Sequence, residues 1–195
     1  MIWPSHGVYP MALFSRRRNM ARRKNRGSTA VEFALIATPF VFMIFALIET
    51  MLVFFTQTTL EAAVAEESRK IRTGQAQSTA APISQTQFKA NVCNRLYGLA
   101  DCTNRLFVLV EAFSAVPTGP LAQPWTDGSL VPGSAADEPY QASTSGQMVI
   151  VRSFYVWPLL TPGLSNALSN YSGGAYGSYN RMLVATSAFR NEPYE

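Results

Sequence analysis

Histidine is almost absent from this sequence, because its one histidine, His6, lies close to the N-terminus. The chain beyond His6 therefore lacks the usual general base, metal ligand and pH-sensitive side chain, and a Ser/His or Cys/His catalytic centre is excluded there. Acidic residues such as Asp101, Asp127, Asp137 and Glu138 are scattered and lack the spacing of metal ligands. We therefore expect a protein that is not an enzyme and that has no cofactor or metal.

Acidic residues are missing from residues 1–27, whereas the rest of the chain holds all twelve of them and nine basic residues. The basic residues of this N-terminal segment are Arg16, Arg17, Arg18, Arg22, Arg23, Lys24 and Arg26. A basic segment can indicate nucleic-acid binding, but this one precedes an apolar run that contains no base. Such a block is typical of the cytoplasmic flank of a membrane helix, so no nucleic-acid partner is expected.

Polar residues are rare between Phe33 and Phe55, where Thr38, Glu49 and Thr50 are the polar side chains among 23 residues. A helix of this length covers about 35 Å, enough to cross a hydrocarbon core of about 30 Å. Buried helices of soluble proteins are usually amphipathic, whereas this run is apolar on every face. We predict one membrane-spanning helix in contact with lipid. The acids Glu61, Glu66 and Glu67 follow it, which predicts a cytoplasmic N-terminus and an exported C-terminal domain.

Two residues inside the apolar run are unusual for a membrane helix. Pro39 removes a backbone donor and could mark a kink. Glu49 has two interpretations, which the sequence leaves open. Its carboxyl group either contacts a partner helix or reaches outward to the membrane interface.

The segment before the apolar run, Arg26 to Phe33, also has two compatible interpretations. Thr29 and Glu32 have the spacing of a capping box that would begin a helix near Thr29. In addition, Gly27 followed by Glu32 as the fifth residue resembles the cleavage site of type IV prepilins. The Glu32-Phe33 pair is similar to the Glu-Tyr pair of Flp-type pilins.

This resemblance implies that a prepilin peptidase cuts after Gly27. Ser28 would then be the new N-terminus, and Glu32 would pair with the terminal amine of a neighbouring subunit. Residues 1–27 would form the leader, and residues 1–19 could be an over-extended start, because Met20 begins a short basic leader of the prepilin kind.

Past the membrane, helical character continues to Gly74, a plausible C-cap, so residues 28–73 are predicted to form one transmembrane and stalk helix. Residues 74–195 would form the exported domain. Within it, Ser84 and Gln87 form a second capping box, and the apolar spacing from Phe88 predicts a helix that runs to about Tyr97.

Cysteine is scarce, with Cys93 and Cys102 as the only pair. Their spacing does not match a redox or zinc motif, and no histidine assists them. Two cysteines in an exported domain should form a structural disulfide, here closing a short loop at the end of the second helix. By chain-entropy arithmetic, such a loop contributes about 2–3 kcal/mol.

Three runs rich in β-branched and aromatic residues predict strands at 105–113, 147–157 and 181–190. A segment rich in proline and glycine, 116–146, is predicted to be an exposed loop. The fold class is therefore α+β: a long N-terminal helix followed by a small domain in which a helix packs on an antiparallel sheet.

The C-terminal part carries a second resemblance. The motifs around Trp157-Pro158-Leu159 and Phe189-Arg190-Asn191-Glu192-Pro193, together with the helix and the cysteine pair, are similar to TadE-like proteins. Arg190 and Glu192 are expected to fix the tail rather than to bind a ligand.

This second resemblance implies a minor pilin or pseudopilin of the tight-adherence (Flp) pilus system, in the bacterial inner membrane or the pilus. It would take part in pilus assembly, adhesion and biofilm formation. The implied partners are the prepilin peptidase, a membrane platform protein and other pilin-like subunits. An alternative is an uncleaved, single-pass anchored binding module outside the cytoplasm, and the fate of Gly27 distinguishes the two.

Overall fold

The computed structural model describes residues 18–77, 82–98, 100–126, 129–130, 139–161 and 163–193. The predictions for residues 1–17 and for Asp127, Asp137 and Glu138 lie outside these residues. The chain divides into two compact units, Met1–Ile44 and Phe45–Glu195. The described residues of the first unit are helical, and the second contains an α+β fold, as predicted.

The first helix, α1, runs from Arg18 to Arg72 and includes Pro39. It ends before Gly74, whose φ of +76° matches the predicted C-cap. The predicted start near Thr29 is wrong, because the helix already contains residues 18–28. Arginine, methionine and alanine are good helix formers, and the single Gly27 does not outweigh them.

The other elements lie close to the predicted positions. The helices are α2 (Gln85–Asn94), α3 (Cys102–Arg105) and α4 (Leu164–Leu168), and the strands are β1 (Leu106–Phe113), β2 (Trp125–Thr126), β3 (Ser129–Leu130), β4 (Met148–Pro158) and β5 (Asn180–Arg190). Strands β1, β4 and β5 form an antiparallel sheet with β4 in the centre. The short pair β2 and β3 lies in the segment 116–146, which is otherwise irregular where it is described.

One face of the sheet is covered by α1 and α2. Leu60 and Val64 of α1, with Phe88 of α2, belong to the same buried cluster as Val108 and Val151 of the sheet. Each fully buried side chain of this kind stabilises the fold by about 1.5–3 kcal/mol relative to exposure. This face therefore attaches the second half of α1 to the domain.

The opposite face of the sheet is buried as well. Phe107 and Phe154 form a second apolar cluster there, against which Tyr176 packs. On the same face, the Arg152 guanidinium lies 2.8 Å from the Glu111 carboxylate, and both side chains are buried. Burial on both faces explains why the central strand, β4, tolerates a charge only as a pair.

The second helix begins with the predicted capping box: the Ser84 hydroxyl accepts from the Gln87 N–H, and the Gln87 side chain accepts from the Ser84 N–H. It ends at Asn94 rather than at about Tyr97. Tyr97 and Gly98 have positive φ values of 53° and 74°, a backbone conformation that no helix can continue.

The predicted disulfide is present between Cys93 and Cys102, whose Cα atoms are 5.9 Å apart. It joins the last turn of α2 to the first residue of α3, which leads directly into β1. Nearby, the Asp101 N–H donates to the Tyr155 hydroxyl at 3.1 Å, and burial raises the pKa of Tyr155. The bond thus attaches the end of α2 to the edge of the sheet.

Removing the disulfide should destabilise the domain. We expect the double substitution Cys93→Ser, Cys102→Ser to lower the free energy of unfolding by about 2–3 kcal/mol, the loop-closure entropy of a short loop. The measurement is urea denaturation of the full chain in detergent. Reductant should reproduce the loss in the unmodified protein and should change nothing in the double variant. Equal denaturation midpoints for the unmodified protein and the double variant would contradict the stabilising role of the disulfide.

Candidate functional site at the junction of helix and domain

The N-terminal half of α1 exposes an apolar surface. From Gly27 to Ile48 every residue is exposed, apart from the half-buried Ala37 and Ala46. Among the described residues, α1 supplies one helix that is long and apolar enough to span a membrane. The cost of leaving such a surface in water is about 25 cal/mol for each Å². This helix could therefore cross a lipid bilayer.

The residues of the predicted cleavage site lie in α1. Gly27, Ser28, Glu32 and Phe33 are exposed, and a side chain at Gly27 would meet no atom within 4 Å. The Ser28 hydroxyl donates to the Glu32 carboxylate at 3.1 Å, one helical turn away. Because the helix passes through this segment, Glu32 does not take part in a helix-initiating capping box.

A buried stripe begins on α1 at Glu49 and faces the domain. Its members follow a spacing of three and four residues: Glu49, Val53, Thr56, Leu60, Ala63, Val64, Glu67, Ser68 and Ile71. This spacing places them on one side of a helix. The stripe marks the part of α1 that is a core element of the domain.

Glu49 binds the domain directly. It is only 7% exposed, and its two carboxylate oxygens accept hydrogen bonds from consecutive backbone N–H groups. The Leu160 nitrogen lies 2.5 Å from Oε1, and the Thr161 nitrogen lies 3.0 Å from Oε2. Hydrogen bonds to a charged acceptor are stronger than neutral ones. Neither sequence interpretation of Glu49 anticipated this contact within the same chain.

The partner of Glu49 is the turn that follows β4, residues 159–161. Leu159 and Thr161 are buried, whereas Leu160 is 81% exposed. The Leu159 N–H donates to the Tyr179 carbonyl at 3.1 Å, and the Thr161 carbonyl accepts from the Ser165 N–H at 3.2 Å. The turn that follows the Trp-Pro motif therefore has a structural role, because it presents the adjacent amides of Leu160 and Thr161 to Glu49.

A second buried carboxylate, Glu67, connects α1 to α2. It is almost completely buried and accepts hydrogen bonds from Lys70 at 2.7 Å, from Asn91 at 3.1 Å and from Arg95 at 3.3 Å. Two cations and an amide offset the cost of removing this charge from water. The available sequence signal was its spacing, seven residues after Leu60, which places the two on the same side of a helix.

The C-terminal segment is fixed to the end of α1, as predicted. The Glu192 N–H donates to the Arg72 carbonyl at 2.9 Å, and the two side chains form an exposed ion pair at 3.3 Å. The Arg190 side chain donates to the Gly146 carbonyl at 2.8 Å, and the buried Asn191 donates to Ser143 at 2.9 Å. The closing motif thus fixes the tail by hydrogen bonds.

A cavity of about 190 Å³ lies between α1 and the segment around Tyr140, and its walls are mainly apolar. Burial raises the pKa of Tyr140 to about 12, and its hydroxyl donates to the Ile83 carbonyl at 3.0 Å. Within the described ranges, no three His, Cys, Asp or Glu side chains come together as a metal site. The polar side chains described in this region form ion pairs and hydrogen bonds that attach α1 to the turn, to α2 and to the C-terminal segment.

These features define a class of protein: a chain with one exposed apolar helix, long enough to cross a membrane, that carries a small disulfide-bonded α+β domain. Residues 27–69 match the family model described as TadE-like protein, which confirms the predicted resemblance over this segment. The match suggests a pilus-associated component of the tight-adherence system, with a structural, pilin-like role. No curated protein and no solved structure matches the chain.

The contact between Glu49 and the turn should be needed for stability. Glu49→Ala leaves the Leu160 and Thr161 amides without their acceptor, which should cost about 1–3 kcal/mol. Glu49→Gln keeps one carbonyl acceptor and should cost less. The free energy of unfolding can be measured in detergent from tryptophan fluorescence, to which Trp157, close to the turn, contributes.

Glu61→Ala is the matched control, because Glu61 is an exposed acid on the same helix. It should change the free energy of unfolding by less than about 0.5 kcal/mol. If the Glu49→Ala protein proves as stable as the Glu61→Ala protein, the bond to the turn does not hold the domain.

Proposed function

We propose that this protein is a minor pilin or pseudopilin of the Flp-type tight-adherence pilus system in bacteria. The observation that carries the proposal is the family match over residues 27–69, which includes the exposed apolar part of α1. In this proposal residues 1–27 are the leader, residues 28–73 the transmembrane and stalk helix, and residues 74–195 the exported domain.

The exposed part of α1 is suited to two successive environments. Its side chains from 27 to 48 are mainly apolar and, apart from Ala37 and Ala46, exposed, so lipid can surround them in the inner membrane. The same surface can pack against other pilin-like helices, because helix association in apolar surroundings depends on close van der Waals contact. The partners would be pilin-like subunits and the membrane platform protein, and the outcome would be pilus assembly, adhesion and biofilm formation.

Leader removal would be carried out by the prepilin peptidase between Gly27 and Ser28. Gly27 is exposed and has free space where a side chain would lie, so the backbone can be approached closely. Glu32 is exposed one turn further on and already accepts a hydrogen bond from Ser28. After cleavage, it could accept the terminal ammonium of a neighbouring subunit, since an acid and a base at the membrane edge cost less as a pair.

The orientation in the proposal has the N-terminus in the cytoplasm and the domain in the periplasm. The basic residues precede the apolar run, and the first acids beyond it follow on the other side. The Cys93–Cys102 disulfide supports export, because such bonds persist in oxidising compartments.

Leader processing tests the proposal most directly. Co-expression with a tight-adherence prepilin peptidase should yield a chain that begins at Ser28, which intact mass spectrometry of the membrane-extracted protein would detect. Gly27→Leu should remain uncut, because a bulky side chain obstructs the scissile backbone. Ala34→Leu adds similar bulk to the same helix away from the bond and should still be cut.

An unchanged N-terminus in the presence of active peptidase would overturn the pilin-like proposal. It would favour the alternative of an uncleaved, membrane-anchored binding module, in which the leader persists beside the same folded domain.

Topology gives an independent test. A reporter that is active only outside the cytoplasm, fused after Glu195, should be active, and protease added to spheroplasts should degrade the domain. The physical reason is the seven positive charges that precede the apolar run. Protection of the domain in intact spheroplasts would contradict the orientation without affecting the processing result.

A further inference from the structure

We propose that the turn 159–161 enters the outer interface of the membrane and that Leu160 contacts lipid there. The inference rests on the proposed membrane anchoring and goes beyond it, because it makes the folded domain itself a lipid-binding surface.

The exposed apolar faces of α1 extend further along the helix than the position at which the domain begins. On its free faces, α1 stays exposed and apolar as far as Phe55, with Met51 and Phe54 among the exposed side chains. On its other face, the domain already begins at Glu49. Six residues of helix correspond to about 9 Å. If the membrane surrounds the free faces of α1 as far as Phe55, it therefore also reaches the turn that is bound to Glu49.

The turn has an exposed apolar side chain. Leu160 is 81% exposed, although both of its neighbours are buried. The hydrogen bonds to Glu49 hold the backbone on either side, so this leucine is kept on the surface at the level of the exposed apolar helix. A leucine in that position is typical of a surface that meets the acyl boundary of a bilayer.

The N–H groups of the turn need acceptors before the backbone can enter an apolar phase. Three consecutive N–H groups have acceptors within the protein: Leu159 donates to the Tyr179 carbonyl, and Leu160 and Thr161 donate to Glu49. The same bonds satisfy the Glu49 carboxylate, which explains how an acid is tolerated at this depth. The turn can therefore contact lipid without unpaired amides at 159–161.

The sequence around the turn also favours lipid as the molecule that contacts it. No charged residue occurs between Arg152 and Arg181, a stretch that contains the turn and α4. Trp157 and the exposed Tyr179 lie beside the turn, and such aromatic residues are enriched at membrane interfaces. A protein partner reached through charge complementarity would need the charges that this stretch lacks, so lipid is the favoured occupant.

Site-specific fluorescence can test the contact in the full chain. Because Cys93 and Cys102 form a disulfide, a single added cysteine can be labelled with an environment-sensitive dye. Leu160→Cys would be compared with Val116→Cys, since Val116 is 72% exposed and follows the end of β1 that pairs with Met148, far from the turn. Leu47→Cys, 55% exposed in the apolar run, reports the span itself.

Each labelled variant would be reconstituted in phosphatidylethanolamine and phosphatidylglycerol vesicles that contain lipids with a nitroxide near the headgroup. We expect the nitroxide to reduce the fluorescence of the dye at position 160 about twofold, as for a side chain within the interfacial layer, and to leave the signal from position 116 unchanged. The probe at position 47 should be quenched as well.

The possible outcomes separate the two proposals. Quenching at position 47 with no more at position 160 than at position 116 would overturn the lipid contact and leave the membrane anchor intact. No quenching at position 47 would overturn the anchor and the inference together. A signal from position 160 that shifts only at high protein density, without quenching, would assign the turn to a neighbouring copy and would also overturn the inference.

Discussion

The structure depends on one constraint: a single helix, α1, has to suit two different surroundings. From Gly27 to Ile48 its side chains are mainly apolar and, apart from Ala37 and Ala46, exposed, and from Glu49 onward one side of it is buried in an α+β domain. The two parts of α1 differ by the buried stripe, which begins at Glu49, while the other faces of the helix stay apolar as far as Phe55. The domain is therefore attached to the second half of α1 through this stripe.

Two buried carboxylates determine how the domain sits on the second half of α1. Glu49 requires two particular backbone amides, and Glu67 requires cations and an amide from α1 and α2. An apolar stripe alone would allow the domain to slide by a turn, because leucine and valine surfaces are similar along the helix. A misplaced domain would leave a buried charge without partners, which is strongly unfavourable. We attribute the register of the domain chiefly to these two acids.

Much of the fold could be predicted from the sequence, because its signals are local. The three long strands follow from β-branched runs, the start of α2 from its capping box, and the disulfide from the only two cysteines. The early start of α1 was missed because helix propensity before Gly27 outweighed the capping signal at Thr29. The partner of Glu49 was missed because its amides lie 111 and 112 residues away in sequence. The three-and-four spacing from Glu49 to Ile71 was the available signal that this side of the helix is buried.

The position of the stripe also separates leader removal from folding of the domain. The proposed cleavage bond at Gly27 lies 22 residues before Glu49, and the residues between them are exposed apart from the half-buried Ala37 and Ala46. Cutting there would leave in place the contacts that Glu49 and the later part of α1 make with the domain. The domain could therefore fold after export while the leader is still attached. Processing would then act on a protein whose exported part is already complete, and it would change only the end that meets other helices.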